Sequence, residues 1–195
     1  SGLMVSSLAA FDRYQQQDAW TWEHQALTRS RAVAGDAAVR AAFEALRVHA
    51  LTTYVRRDNL ATEVADMRQR MRSELSKGTD ELFDIKQDPG GVADIEFLVQ
   101  YLVLREAHHH PDLVHWSDNI RQLEALGAHG ILAPADAELL AETYREYRRH
   151  IHHGNLAGRS GLVPHAEAAG LAATVTRLWQ AVFYTAAPVQ QDEAS

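Results

Sequence analysis

Apolar residues return every three or four positions through most of this chain, the spacing of helices that bury one stripe. Leu8, Phe11 and Tyr14 open the pattern behind Ser6 or Ser7, either of which can cap a helix. Helical character continues from Asp18 to Val33, and Gly35 is placed as its C-terminal cap. Asp36 is positioned to cap the next helix, with a stripe of Val39, Ala42, Phe43, Leu46 and Ala50. Thr52 and Thr53 read as a break. Asp58 or Asn59 then opens a helix with Leu60, Val64, Met67, Met71 and Leu75 on one side and arginines opposite, stopping at Gly78.

A helix from Val92 towards the histidines before Pro111 carries Ile95, Leu98, Val99 and Leu102, and its broad apolar face predicts a central position. Ser117 is expected to cap a short helix of Ile120, Leu123 and Leu126, closed by Gly127 and Gly130. Pro134 suits the first turn of another helix, with Leu139, Leu140, Thr143, Tyr144, Tyr147 and Ile151. A glycine-rich loop from Gly154 to Gly161 precedes Pro164, expected to open a last helix with Leu171, Val175, Leu178, Val182 and Phe183. No run shows β alternation. The expected fold is all-α, a bundle of about six or seven helices with short antiparallel connections. Residues 1–78 form its N-terminal helices, 79–91 a Gly-Gly linker turn, 92–187 a C-terminal helical bundle and 188–195 a disordered tail.

Composition narrows the class. A net charge of −7 argues against a nucleic-acid surface, and the absence of cysteine excludes disulfides and thiolate metal sites. No apolar run approaches the ~20 residues of a membrane span. The N-terminus lacks the basic and apolar regions of a secretory signal. A cytoplasmic location is therefore expected.

The most informative segment is Phe83-Asp-Ile-Lys86-Gln-Asp-Pro-Gly90-Gly91-Val-Ala-Asp94-Ile-Glu96-Phe97. Asp88-Pro89-Gly90-Gly91 is turn chemistry, and Asp94 and Glu96 fall in the first turn of the following helix, where negative charge suits the helix dipole. Lys86 adds a mobile cation, and glycines let backbone amides approach an anion closely. The ordinary alternative is a capped interhelical turn. A Walker P-loop it is not, because the Gly-x-x-x-x-Gly-Lys-Ser/Thr order is missing.

The segment resembles the Lys-x-x-x-Gly-Gly-x-x-Asp-Ile-Glu-Phe signature of glutamine synthetase adenylyltransferases. Val5-Ser6-Ser7, Tyr14-Gln15, Ala19-Trp20-Thr21-Trp22-Glu23-His24-Gln25-Ala26-Leu27 and Trp116-Ser117-Asp118-Asn119-Ile120-Arg121 are similar to that family's C-terminal portion, in the same order. The likeness runs from about residue 3 to about residue 150. It implies a helical domain of a bifunctional enzyme that attaches AMP to a tyrosine of glutamine synthetase and removes it by phosphorolysis. ATP and Mg²⁺ are the implied cofactors of the complete enzyme, with none in this chain. Glutamine synthetase and a PII-type signal protein are the implied partners, with no nucleic acid and no membrane. The family's Gly-Ser-x-x-Asp-x-Asp and Arg-Leu-Arg-Pro stretches do not occur here, so no catalytic residue and no metal ligand are assigned to the chain. Two-metal phosphoryl transfer requires such acids.

Under this reading Lys86, Gly90, Gly91, Asp94 and Glu96 are candidates for facing the nucleotide cleft of a neighbouring domain. Trp20, Trp22 and Glu23 are candidates for the domain interface, with one tryptophan buried and the other outward. Arg68, Arg70 and Arg72 read as a solvated face offset by Glu63, Asp66 and Glu74. Two rival readings are a regulatory module that binds a nitrogen signal protein and a histidine-dependent metalloenzyme. For the latter, only His150 and His153 share a helix face at ligand spacing, and the runs His108-His109-His110 and His152-His153 suit solvated helix ends better.

Overall fold

A computed structural model describes residues 6–156 and 161–184. Eight α-helices account for most of them: α1 Leu8–Gln17, α2 Thr21–Thr28, α3 Ala37–His49, α4 Leu60–Leu75, α5 Val92–Glu106, α6 Asn119–Ala128, α7 Pro134–Leu156 and α8 His165–Tyr184. A π turn over Ala50–Tyr54 extends α3, and a 3₁₀ turn over Pro111–Val114 follows α5. The all-α expectation holds, with one addition. Strands β1 Leu82–Asp84 and β2 Leu162–Pro164 form an antiparallel pair, with Phe83 opposite Val163. Three residues are too few to display period-two patterning, and the pairing partner lies far along the chain. Pro164 therefore ends a strand, and the last helix opens one residue later. The tail beyond residue 187 and residues 157–160 of the expected glycine loop lie outside the described residues, while Gly154 belongs to α7, which runs on to Leu156.

Helix α5 is central, packed against α2, α4, α6, α7 and α8. Ile95, Leu98, Val99 and Leu102 are all buried, as their spacing predicts. On α4, Leu60 and Val64 are buried, while Met67 and Met71 are half-buried at its edge. Helix α6 packs along α7 with Gly127 at the contact, where an added Cβ would lie 3.1 Å from that of Ala137. Gly127 thus sits inside α6 rather than closing it, and Asp118 supplies the cap through Arg121 N–H at 3.0 Å. Ser7 and Asp36 cap α1 and α3.

The long helix expected from Asp18 to Val33 is shorter, ending at Thr28. The cause is buried Arg47 of α3. Its Nε and NH2 groups donate to the Leu27 and Thr28 carbonyls at 3.0 and 2.9 Å, and NH1 donates to Val114 at 2.7 Å. The guanidinium binds the carbonyls at the helix end, where Leu27 O also accepts Ser30 N–H at 3.1 Å in a tighter final turn. The stripe read on α3 shifts accordingly: Val39 and Ala42 are exposed, and Arg47 faces inward.

His24 is buried on α2, with Nε2 3.3 Å from the Gln15 carbonyl. Desolvation lowers its pKa below the usual imidazole value, more strongly than the Gln15 carbonyl raises it. The folded chain thus binds fewer protons than the unfolded chain as pH falls through about 6.5, so stability drops there and levels off once buried His24 protonates. The His24→Gln variant is expected to lose less stability than the parent between pH 7.5 and 5. Urea unfolding at both pH values checks this; equal losses would exclude His24 as a source.

Candidate functional site

The Gly-Gly turn joins β1 to α5 and is bound into the interior. Asp84 receives the backbone N–H groups of Lys77, Lys86 and Gln87, and Asp88 receives that of Asp84 at 2.8 Å and the Ser76 hydroxyl. These Asx bonds fold the segment back on itself. The amides entering α5 are used in the same way. Gly91 N–H donates to Asp88 O, Val92 N–H to Ile85 O at 2.8 Å and Ala93 N–H to Lys86 O at 3.1 Å. An incoming anion finds these glycine-region amides already occupied, so the turn lacks the open nest that a phosphate cradle requires.

Asp94 closes the knot. Its Oδ2 accepts Gly90 N–H at 2.7 Å, its Oδ1 accepts Arg68 Nε at 2.7 Å, and both oxygens accept Arg72 NH2. Asp94 is 2% exposed and Arg68 0%. Arg68 also donates to the Gln87 carbonyl at 2.7 Å. Burial pulls its pKa down and Asp94 opposes that; arginine stays charged regardless. Arg68 is therefore no part of a solvated face. It is the charge that α4 buries against the signature turn, whereas Arg70 is exposed and Arg72 is half-buried. Tyr147 of α7 donates to the Gly90 carbonyl at 2.9 Å. Burial first, and the charge of Asp94 second, raise its phenol well above the usual tyrosine range, keeping it a donor.

The five residues of the signature separate into three environments. Gly90, Gly91 and Asp94 meet in this knot. Glu96 points elsewhere, accepting Arg29 NH1 at 2.7 Å and the Tyr144 hydroxyl at 3.0 Å, and ties α5 to the end of α2 and to α7. Lys86 is exposed, and its ammonium has no hydrogen-bond or ion-pair partner among the described residues. Sequence reading missed Arg68, Arg47 and Tyr147. Arginine scores as polar in any stripe, and the one signal available was that Asp94, in the first turn of an apolar helix, needs a cation.

The second candidate surface is different in kind. Trp20 and Trp22 are 66% and 50% exposed, so both face outward rather than one. Glu23 caps α2 through Trp20 N–H at 2.9 Å and accepts the Tyr14 hydroxyl at 2.6 Å. It therefore holds the tryptophan segment in place instead of facing solvent as a free charge. Between α2 and α4 runs a groove of about 420 Å³ with both tryptophans and half-buried Met67 in its lining. Of the histidines, His150 pairs with Glu146 of its own helix at 3.1 Å, and His129 with Asp112 at 2.6 Å. Hydrogen bonding to His129 holds the Asp112 carboxyl below its usual range. Among the described residues, no three His, Asp or Glu side chains are grouped for a metal. No described helix is long and apolar enough to cross a membrane.

Comparison with known proteins gives this geometry a family. Residues 1–46 match the family described as glutamate-ammonia ligase adenylyltransferase, and residues 58–158 match the one described as GlnD PII-uridylyltransferase. A bifunctional glutamine synthetase adenylyltransferase/adenylyl-removing enzyme of Thioalkalivibrio sulfidiphilus is 48% identical over 93% of this chain and 19% of its own length. Proteins of the same name from Hahella chejuensis and Pseudomonas putida are 47% and 44% identical over 94% and 92% of the chain. The chain spans about one fifth of the length of these relatives. With this identity sustained over nearly all its residues, the chain belongs to the family of bifunctional glutamine synthetase adenylyltransferase/adenylyl-removing enzymes.

Proposed function

We propose that this chain is the C-terminal helical part of an enzyme that transfers AMP from ATP to a tyrosine of glutamine synthetase and removes it by phosphorolysis. In this reading the bundle supports the Mg²⁺-dependent nucleotidyltransferase domain of a cytoplasmic enzyme and carries no reacting group of its own. The observation that carries it is the similarity over more than nine-tenths of the chain to relatives five times as long. The local structure is consistent with support: nearly every polar group of the signature is spent on fixing the entrance of α5, which makes a rigid platform. Lys86 is the member left facing outward, and it is the residue proposed to meet nucleotide phosphate in the neighbouring cleft.

In the complete enzyme, Lys86→Ala is expected to slow AMP transfer by about tenfold or more, since a cation preset at developing phosphate charge acts mainly on the transition state. The melting temperature of the isolated chain should change little, because the exposed ammonium has no hydrogen-bond or ion-pair partner among the described residues. Steady-state kinetics beside a melt checks this; unaltered kcat and KM would remove Lys86 from the cleft. A second reading is favoured by the match of residues 58–158 to a PII-uridylyltransferase family. In it, the bundle is a regulatory module that binds a PII-type signal protein. Under that reading, Lys86→Ala leaves unregulated AMP transfer intact.

A further inference from the structure

The groove between α2 and α4 has a chemistry that the supporting role does not use. Its lining includes two large exposed aromatic residues, Trp20 and Trp22, together with Met67. Along it stand the carboxylates of Asp58, Glu63 and Asp66. Glu63 accepts the Thr21 hydroxyl, but among the described residues none of the three forms an ion pair. Two arginines stand at the same groove, Arg56, which donates to the Ala19 carbonyl at 3.1 Å, and exposed Arg70, so the lining holds three acids against two bases. Exposed indole faces beside unpaired carboxylates attract a cation, because the ring quadrupole and the negative charges act on it together. The apolar part of the lining rewards a side chain that also brings methylenes, as arginine and lysine do.

We infer that this groove docks an arginine- or lysine-bearing segment of the same polypeptide, from the nucleotidyltransferase part that lies outside these residues. The inference rests on the proposed supporting role and names the chemistry of its contact. Three observations favour an intramolecular occupant. Relatives of the same family have about four-fifths of their length outside the region matched here. Both tryptophans lie within residues 1–46, the part that matches the adenylyltransferase family. The α4 wall lies within residues 58–158, so the groove draws on both matched portions of the chain. The charge of the groove also selects: three carboxylates against two arginines leave a net negative lining that disfavours an acidic segment.

The test uses the complete enzyme with Trp22 replaced by the photo-reactive residue p-benzoylphenylalanine. After irradiation, peptide mass spectrometry identifies what is cross-linked. The expected product is an intramolecular cross-link to a peptide from outside this chain that contains arginine or lysine. Asp66→Lys, a change at an exposed position that should leave the melt of this chain unaltered, is expected to reduce the cross-link yield several-fold. An intramolecular cross-link to a segment without a basic residue, or one indifferent to Asp66→Lys, overturns the cation chemistry while the supporting role stands. A cross-link only to a separate protein, or none, overturns intramolecular docking. In that case the effect of Trp22→Ala on unregulated AMP transfer shows whether the supporting role falls with it.

Discussion

Replacing Asp94 with alanine is expected to lower the unfolding free energy of the chain by about 3–5 kcal/mol, the range for removing one partner of a buried ion pair. The size follows from what is left behind. Arg68 stays fully buried, with only Gln87 to receive its donors, Arg72 loses its carboxylate, and Gly90 N–H loses its acceptor. Small domains have about 5–15 kcal/mol in total, so such a loss is a large share. Asp94→Asn keeps the shape and one acceptor oxygen but not the charge, and should recover only part of it. Pairing Arg68→Met with Asp94→Leu leaves no fully buried ion without its partner and should be milder than Asp94→Ala, the remaining loss coming from Arg72 and Gly90 N–H, which still lose their acceptor. Urea unfolding of the four proteins decides the matter. A loss below about 1 kcal/mol for Asp94→Ala would place the pair with solvent-screened ion pairs and contradict its burial.

This knot also shows how far the sequence could be read. The apolar stripe of α5 was legible because every third or fourth residue is large and apolar, and tertiary packing left that pattern intact. The caps at Ser7 and Asp36 were legible because they act on amides two or three residues away. Features that depend on distant partners were not. Arg47 and Arg68 look like solvent-facing residues on their own helices; their hydrogen-bond partners lie 19 or more positions away in the chain. The strand pair and the early end of α2 have the same origin. For the candidate site, the Gly-Gly turn was found but its direction was not, since the occupied amides and the divergence of Glu96 from Lys86 arise only once α4, α7 and β1 surround it. The tryptophans at 20 and 22 were expected on opposite sides of a helix. Trp20 instead precedes α2 as its N-cap, in extended conformation, which leaves both rings free to face outward.

The second large effect is expected at Gly90. Its φ of +86° is a conformation that costs L-residues roughly 1–2 kcal/mol. A Cβ there would also overlap the backbone carbonyl of Ala172, so α8 would have to move away from α5. Overpacking of this kind costs about 1–3 kcal/mol, which gives a combined loss of about 2–5 kcal/mol for Gly90→Ala. Gly130→Ala separates the two contributions, since Gly130 has a φ of +67° and nothing within 4 Å of an added Cβ. It should show the conformational cost alone. The gap between the two variants in chemical denaturation then measures the clash with α8. Because Gly90 also gives its N–H to Asp94 and its carbonyl to Tyr147, that displacement would strain both bonds at once. Equal losses in the two variants would mean that α8 yields freely and does not brace the entrance of α5.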